Sequence, residues 1–160
     1  MVKNKKNLLL KLILLISIIA LISAFFIEYI LGHQPCNLCI LERIPYFLAI
    51  IVILLNYKFI EFEKFFILFL TIIFLFGTVL SLYHLGIEQG LIQESLVCDL
   101  KSGSNLLSKE EILKQLQEKS VSCKDVTFKI FGLSLTSYNI LISILITFSA
   151  GKIYFNYEKN

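Results

Sequence analysis

Residues 8–31 read LLLKLILLISIIALISAFFIEYIL, and the interpretation of that run decides the fold. A basic start, Lys3, Lys5 and Lys6, precedes it. Basic residues followed by an apolar stretch also describe a secretory signal peptide, with Ala24 as the small residue at a cleavage site. The run continues past Ala24 through Phe25, Phe26, Ile27 and Tyr29, with charge only at Lys11 and Glu28. That is longer than a cleaved apolar region, which spans about 7–15 residues. A bilayer core of roughly 30 Å takes about 20 helical residues to cross. The stretch reads as an uncleaved first transmembrane helix.

The composition carries the same message outward. Hydrophobic residues make up 57% of the 160, charged residues 17%, and mean hydropathy is +0.80. A soluble domain averages about 45–50% apolar and about 25% charged. A second apolar segment, Ile44 to Leu55, reaches crossing length by starting near Ile40. Pro45 lies near its beginning, where a missing N–H costs least. A third runs from Phe65 to about Tyr83 and a fourth from about Thr136 to Phe155. The expectation is an all-α membrane protein of one domain, residues 1–160. It is a four-transmembrane-helix bundle with helices at about 8–31, 40–56, 65–84 and 136–155. Two outer loops join them, at about 32–39 and 85–135.

Four crossings put both termini on one side. Lys3, Lys5, Lys6, Lys11, Lys58, Lys64, Lys152 and Lys159 fall at the chain ends and the short middle connector, while 32–39 has no Lys or Arg. The positive-inside rule places the termini in the cytoplasm, and long loops cross largely regardless of their lysines. All four cysteines, Cys36, Cys39, Cys98 and Cys123, then face the exterior or the periplasm, where disulfides persist. Within the long loop, Ser108 and Glu111 fit a capping box. Ile112, Leu113 and Leu116 line one face of a short helix over 108–119, which lies either on lipid headgroups or against the rest of the loop.

The chemistry concentrates in Gln34-Pro35-Cys36-Asn37-Leu38-Cys39-Ile40-Leu41-Glu42-Arg43. Cys-x-x-Cys closes a tight, readily reduced ring that recurs in redox enzymes. On a continuous helix Arg43 shares a face with Cys39, and a helix starting near Cys39 gives that sulfur the positive dipole end. Both favour thiolate. Glu42 and Arg43 otherwise serve as interfacial anchors. His84 ends the third segment on the same side, either as a polar cap or as a second cation near Cys39. Cys98 and Cys123, 25 positions apart, suit a structural disulfide. A zinc site with His33 is an alternative, although the spacing lacks the paired pattern of zinc ribbons. Haem attachment is disfavoured because Ile40, not His, follows Cys39. Nothing points to nucleic acid, and no flavin or nicotinamide motif is present.

Pro-Cys-x-x-Cys-x-x-Glu-Arg after a first transmembrane helix, with four helices and a second cysteine pair in a long outer loop, resembles the DsbB family. Tyr83-His84 at the end of the third helix is similar as well. The resemblance spans nearly the whole chain. It implies a bacterial inner-membrane enzyme that reoxidises a periplasmic, thioredoxin-fold DsbA-like protein and reduces membrane quinone, either ubiquinone or menaquinone. It further implies redox disulfides Cys36–Cys39 and Cys98–Cys123. Reduced partner attacks at Cys98, Cys123 exchanges with Cys36, and Cys39 meets the quinone with Arg43 and His84 beside it. Two rivals remain at this level. One is a membrane scaffold whose outer loops are stapled by structural disulfides; the other is an oxidase dedicated to one secreted substrate.

Overall fold

The computed structural model describes residues 2–93, 122–124, 129–130 and 132–158. Helix α1 spans Val2–Tyr29, a one-turn α2 spans Asn37–Leu41, α3 spans Ile44–Lys58 and α4 spans Glu63–Glu88, after a 3₁₀ turn at Ile60–Phe62. Strands β1 (Lys129–Ile130) and β2 (Leu133–Ser134) pair antiparallel, Lys129 with Ser134 and Ile130 with Leu133, and β2 runs into α5, Leu135–Glu158. Gly132 in the connecting turn has φ +82°, a conformation that favours glycine. Among the described residues, four stretches are long and apolar enough to cross a membrane: Lys6–Tyr29, Asn37–Lys58, Ile60–Glu88 and Leu135–Phe155. Large apolar side chains such as Phe47, Phe76, Leu145 and Phe148 point outward, as a lipid-facing bundle requires. The protein is a helical, multi-pass membrane protein.

The second crossing is two helices rather than one, and Pro45 is the reason. Its ring displaces the carbonyl of Leu41 four residues back and it has no N–H to offer. The Arg43 N–H turns instead to the Ile40 carbonyl at 3.1 Å, and α3 starts afresh with Pro45 in its first turn. The other difference lies in α4, which continues to Glu88 and so sets a further carboxylate one turn beyond His84.

The core is built where α1, α3, α4 and α5 meet, around Leu10, Ile13, Ala49, Ile53, Phe74 and Ala150. Tyr46 meets Phe74 edge to face at 5.5 Å. Gly77 permits the close approach of α3: a Cβ there would lie 3.1 Å from Pro45 Cγ and 3.9 Å from Ser143 Oγ of α5. Buried Ser17, Thr78 and Ser81 satisfy their hydroxyls on the carbonyls of Ile13, Phe74 and Gly77 of their own helices. At the end of the bundle opposite the cysteines, Lys6 Nζ pairs with Glu63. A separate small cluster joins Cys36, Leu38, Ile87 and Cys123.

Candidate functional site

Helix α2 begins at Asn37, two residues before Cys39, so Cys36 rather than Cys39 occupies the N-cap. Its Sγ accepts the backbone N–H of Cys39 at 3.3 Å. The two cysteines are free thiols with sulfurs 2.8 Å apart. His84 Nε2 lies 3.5 Å from Cys36 Sγ. The hydrogen bond from the Cys39 thiol pulls the Cys36 thiol down from 9.0 to about 5; burial opposes this, and the hydrogen bond and charge of His84 add to the lowering. The sulfur that best carries charge is thus Cys36, whereas the sequence spacing points to Cys39. The Cys39 thiol and His84, which both face Cys36 Sγ, account for the difference.

Behind the sulfurs lies a buried polar chain. His84 Nδ1 donates to Glu42 Oε1 at 2.8 Å. Glu42 Oε2 accepts from Asn139 Nδ2 at 2.9 Å, and the same amide reaches Ser81 Oγ at 2.7 Å. The Tyr46 hydroxyl donates to Asn139 Oδ1. Thr136 Oγ1 donates to Glu88 Oε1 at 2.5 Å, and that oxygen lies 3.8 Å from His84 Nε2. The side chains of this network thus meet one another with donor facing acceptor, which is what makes such burial tolerable.

The sequence presents Glu42 as an anchor at the membrane surface, but in the structure it is buried. Asn139, Thr136 and Glu88 were missed altogether. The signals available were an amide inside an apolar helix and a carboxylate four positions after a histidine, which share a helix face only if α4 continues.

Arg43 is held by α1. Its Nη1 pairs with Glu28, and its guanidinium sits 5.2 Å over the Phe25 ring. That gives the single acidic residue near the end of the 8–31 run a partner. Arg43, Cys36, Cys39, His84 and Glu88 line a cavity of about 350 Å³ together with Ile16, Ile19, Ala20 and Ile27 of α1. An apolar chamber of this size with a few converging polar groups is the usual form of a small-molecule site. His33 lines the cavity too. Among the described residues, however, it is His84 that groups with the cysteine pair, with ligand atoms within 4.8 Å of one another.

Cys123 also reaches the site. It is buried, lines the same cavity and shares an apolar cluster with Cys36. It is disulfide-bonded. Cys98, with it the expected Cys98–Cys123 pairing, and the expected 108–119 helix lie outside the described residues. The structure thus brings five of the six expected site residues, Cys36, Cys39, Arg43, His84 and Cys123, around one chamber.

Two comparisons bear on this arrangement. The family described as "Disulfide bond formation protein DsbB" matches residues 6–152, nearly the whole chain. An uncharacterized protein of Rickettsia prowazekii (strain Madrid E) is 33% identical over 165 residues, covering 99% of this chain and 94% of that protein.

Proposed function

The chain belongs to the DsbB family of disulfide bond formation proteins, and on that premise we propose that it is a thiol:quinone oxidoreductase that reoxidises a periplasmic DsbA-like dithiol protein. The protein sits in the bacterial inner membrane with both termini in the cytoplasm and its cysteines in the periplasm, as the distribution of lysines supports. The observation that carries the reading is that Cys123 shares one buried cluster with Cys36 and lines, with both Cys36 and Cys39, a cavity that α1 also lines.

Reduced partner brings two electrons as a dithiol. One partner thiolate attacks the Cys98–Cys123 bridge at Cys98 and releases Cys123. Cys123 attacks Cys36 of an oxidised Cys36–Cys39 pair, which frees Cys39. The second partner thiol resolves the mixed disulfide at Cys98, so the partner leaves oxidised. Cys98 then closes on Cys123 and returns the electrons to the Cys36–Cys39 dithiol. Thiol–disulfide exchange of this kind needs only access and a thiolate.

Quinone, as the electron-accepting substrate, takes two electrons and two protons, and the Cys36–Cys39 bridge forms again. The donor set fits such a molecule. Its ring and tail suit the apolar wall, and Arg43 and His84 supply the polar end where negative charge on oxygen is best stabilised. Cys36 Sγ, placed against the Cys39 thiol, is the local base for the Cys39 proton. His84 Nε2 stabilises the charge on Cys36, and Glu42 holds the ring in position.

The test uses purified protein in detergent with a reduced thioredoxin-fold dithiol and a soluble quinone, following quinone absorbance. Partner-dependent turnover that is abolished in Cys39→Ser and reduced in Arg43→Ala is expected. Folded protein that turns over with neither ubiquinone nor menaquinone analogues would instead favour the stapled scaffold.

A further inference from the structure

We propose that the reduced Cys36–Cys39 pair and His84 together form a binding site for a thiophilic divalent cation such as Zn²⁺ or Cd²⁺, present in the dithiol state and absent in the disulfide state. The inference rests on the oxidoreductase reading only in that the pair must exist in both states.

Three observations converge on it. The two sulfurs and the histidine offer ligand atoms within 4.8 Å of one another, from two different helices. Cys-x-x-Cys is a spacing that chelates zinc, and two thiolates plus one imidazole make up a three-ligand set with a fourth position open. The outer side of the imidazole is also prepared: Nδ1 is committed to Glu42 Oε1 at 2.8 Å, which leaves Nε2 facing the sulfurs. A carboxylate behind a histidine fixes ring orientation and tautomer and raises ligand basicity in metal centres. The fourth position is left to water from the adjoining cavity.

The balance is simple. Binding M²⁺ to the dithiol forms two metal–sulfur bonds and one metal–nitrogen bond and releases the remaining thiol protons. No electrons move. Zinc–sulfur bonds of about 2.3 Å need the sulfurs to part by roughly 1 Å from their present 2.8 Å, a rotation of short side chains. Formation of the Cys36–Cys39 bond removes both thiolates and with them the site. Bound metal conversely holds the pair reduced, so a soft cation acts as a reversible brake on the relay.

The test is a cadmium titration of purified full-length protein in detergent, in a Cys98→Ser/Cys123→Ser background so that only Cys36 and Cys39 supply thiols. The readout is sulfur-to-cadmium charge-transfer absorption. One cadmium per chain is expected after reduction and none after oxidation to the Cys36–Cys39 disulfide, with zinc competing. His84→Ala should weaken binding at least tenfold. Glu42→Gln, which keeps side-chain shape, should weaken it by about 10–100-fold. No cadmium band from reduced, helical protein would overturn the proposal. So would equal affinity in both variants, which would mean a bare dithiol. The titration needs neither partner nor quinone, so its failure leaves the relay standing. Native protein, all four cysteines present, that binds cadmium when reduced yet turns over no quinone after the metal is removed counts against the relay alone.

Discussion

His84 Nδ1 donates a 2.8 Å hydrogen bond to Glu42 Oε1, and this bond joins α4 to the break between α2 and α3. It holds the imidazole so that Nε2 faces Cys36. Hydrogen bonds to charged groups contribute about 1.5–3 kcal/mol, and leaving a buried partner unsatisfied costs more than the bond is worth. Glu42→Ala strands both His84 and Asn139 and is expected to lower unfolding stability in detergent by about 2–4 kcal/mol. Glu42→Gln should cost less, because its amide oxygen still accepts one bond. Equal thermal stability of wild type and Glu42→Ala would mean that the bond does not hold the site together.

The reactivity of Cys36 should depend on pH in an unusual way. Its thiol is lowered to about 5, first by the hydrogen bond from Cys39 and then by His84. In the reduced protein the thiolate is complete well above pH 5 and is lost as pH falls through that value. Alkylation of Cys36, followed by mass spectrometry, should therefore be flat from about pH 7 to 9, whereas an ordinary thiol gains about tenfold per unit below its pKa near 8.5. Cys39→Ala and His84→Ala each remove a lowering cause and should move the midpoint upward, Cys39→Ala by more. A Cys36 profile that rises through pH 8 in the native protein would contradict the geometry.

Gly77 and Gly86 offer a paired steric test on one helix. A Cβ at Gly77 meets the Pro45 ring at 3.1 and 3.3 Å, and the ring has no rotamer to escape into. A Cβ at Gly86 meets Ile92 Cδ1 at 2.6 Å, the far end of a flexible, exposed side chain. Gly77→Leu should cost about 1–3 kcal/mol by forcing α3 from α4, with a fall in melting temperature and in turnover. Gly86→Ala should change either by little. Equal tolerance at both positions would remove Gly77 as the point of close approach.

At the far end of the bundle, Lys6 and Glu63 pair with little exposure of either side chain. Removing one member of such a pair leaves an uncompensated charge, at about 3–5 kcal/mol, whereas replacing both by apolar residues is often neutral. Lys6→Met should therefore destabilise, and Lys6→Met with Glu63→Leu should recover most of the loss. The proposed quinone turnover, measured per folded molecule, should not change. A double variant no more stable than the single one would mean that the pair contributes nothing beyond packing.

The number of crossings, the helical class and the motif Cys36-x-x-Cys39-x-x-Glu42-Arg43 are determined by the sequence itself. Hydrophobic run length and residue spacing are local quantities, and the bilayer thickness turns them directly into helices. Pro45 was equally visible, and a proline four residues after Leu41 was enough to break the second crossing. What only the tertiary structure decided is which side chains meet. The spacing placed Arg43 beside Cys39, yet its guanidinium is taken by Glu28 and Phe25 of α1. Glu42 reads as a surface anchor, yet it lies under His84 and Asn139, residues 42 and 97 positions away. Cys123, 87 positions from Cys36, joins the same buried cluster and lines the same cavity. These pairings follow from the rotation of each helix about its axis and from the offset at the α2–α3 break. Close packing among four helices sets both, and no window along a single helix contains that information.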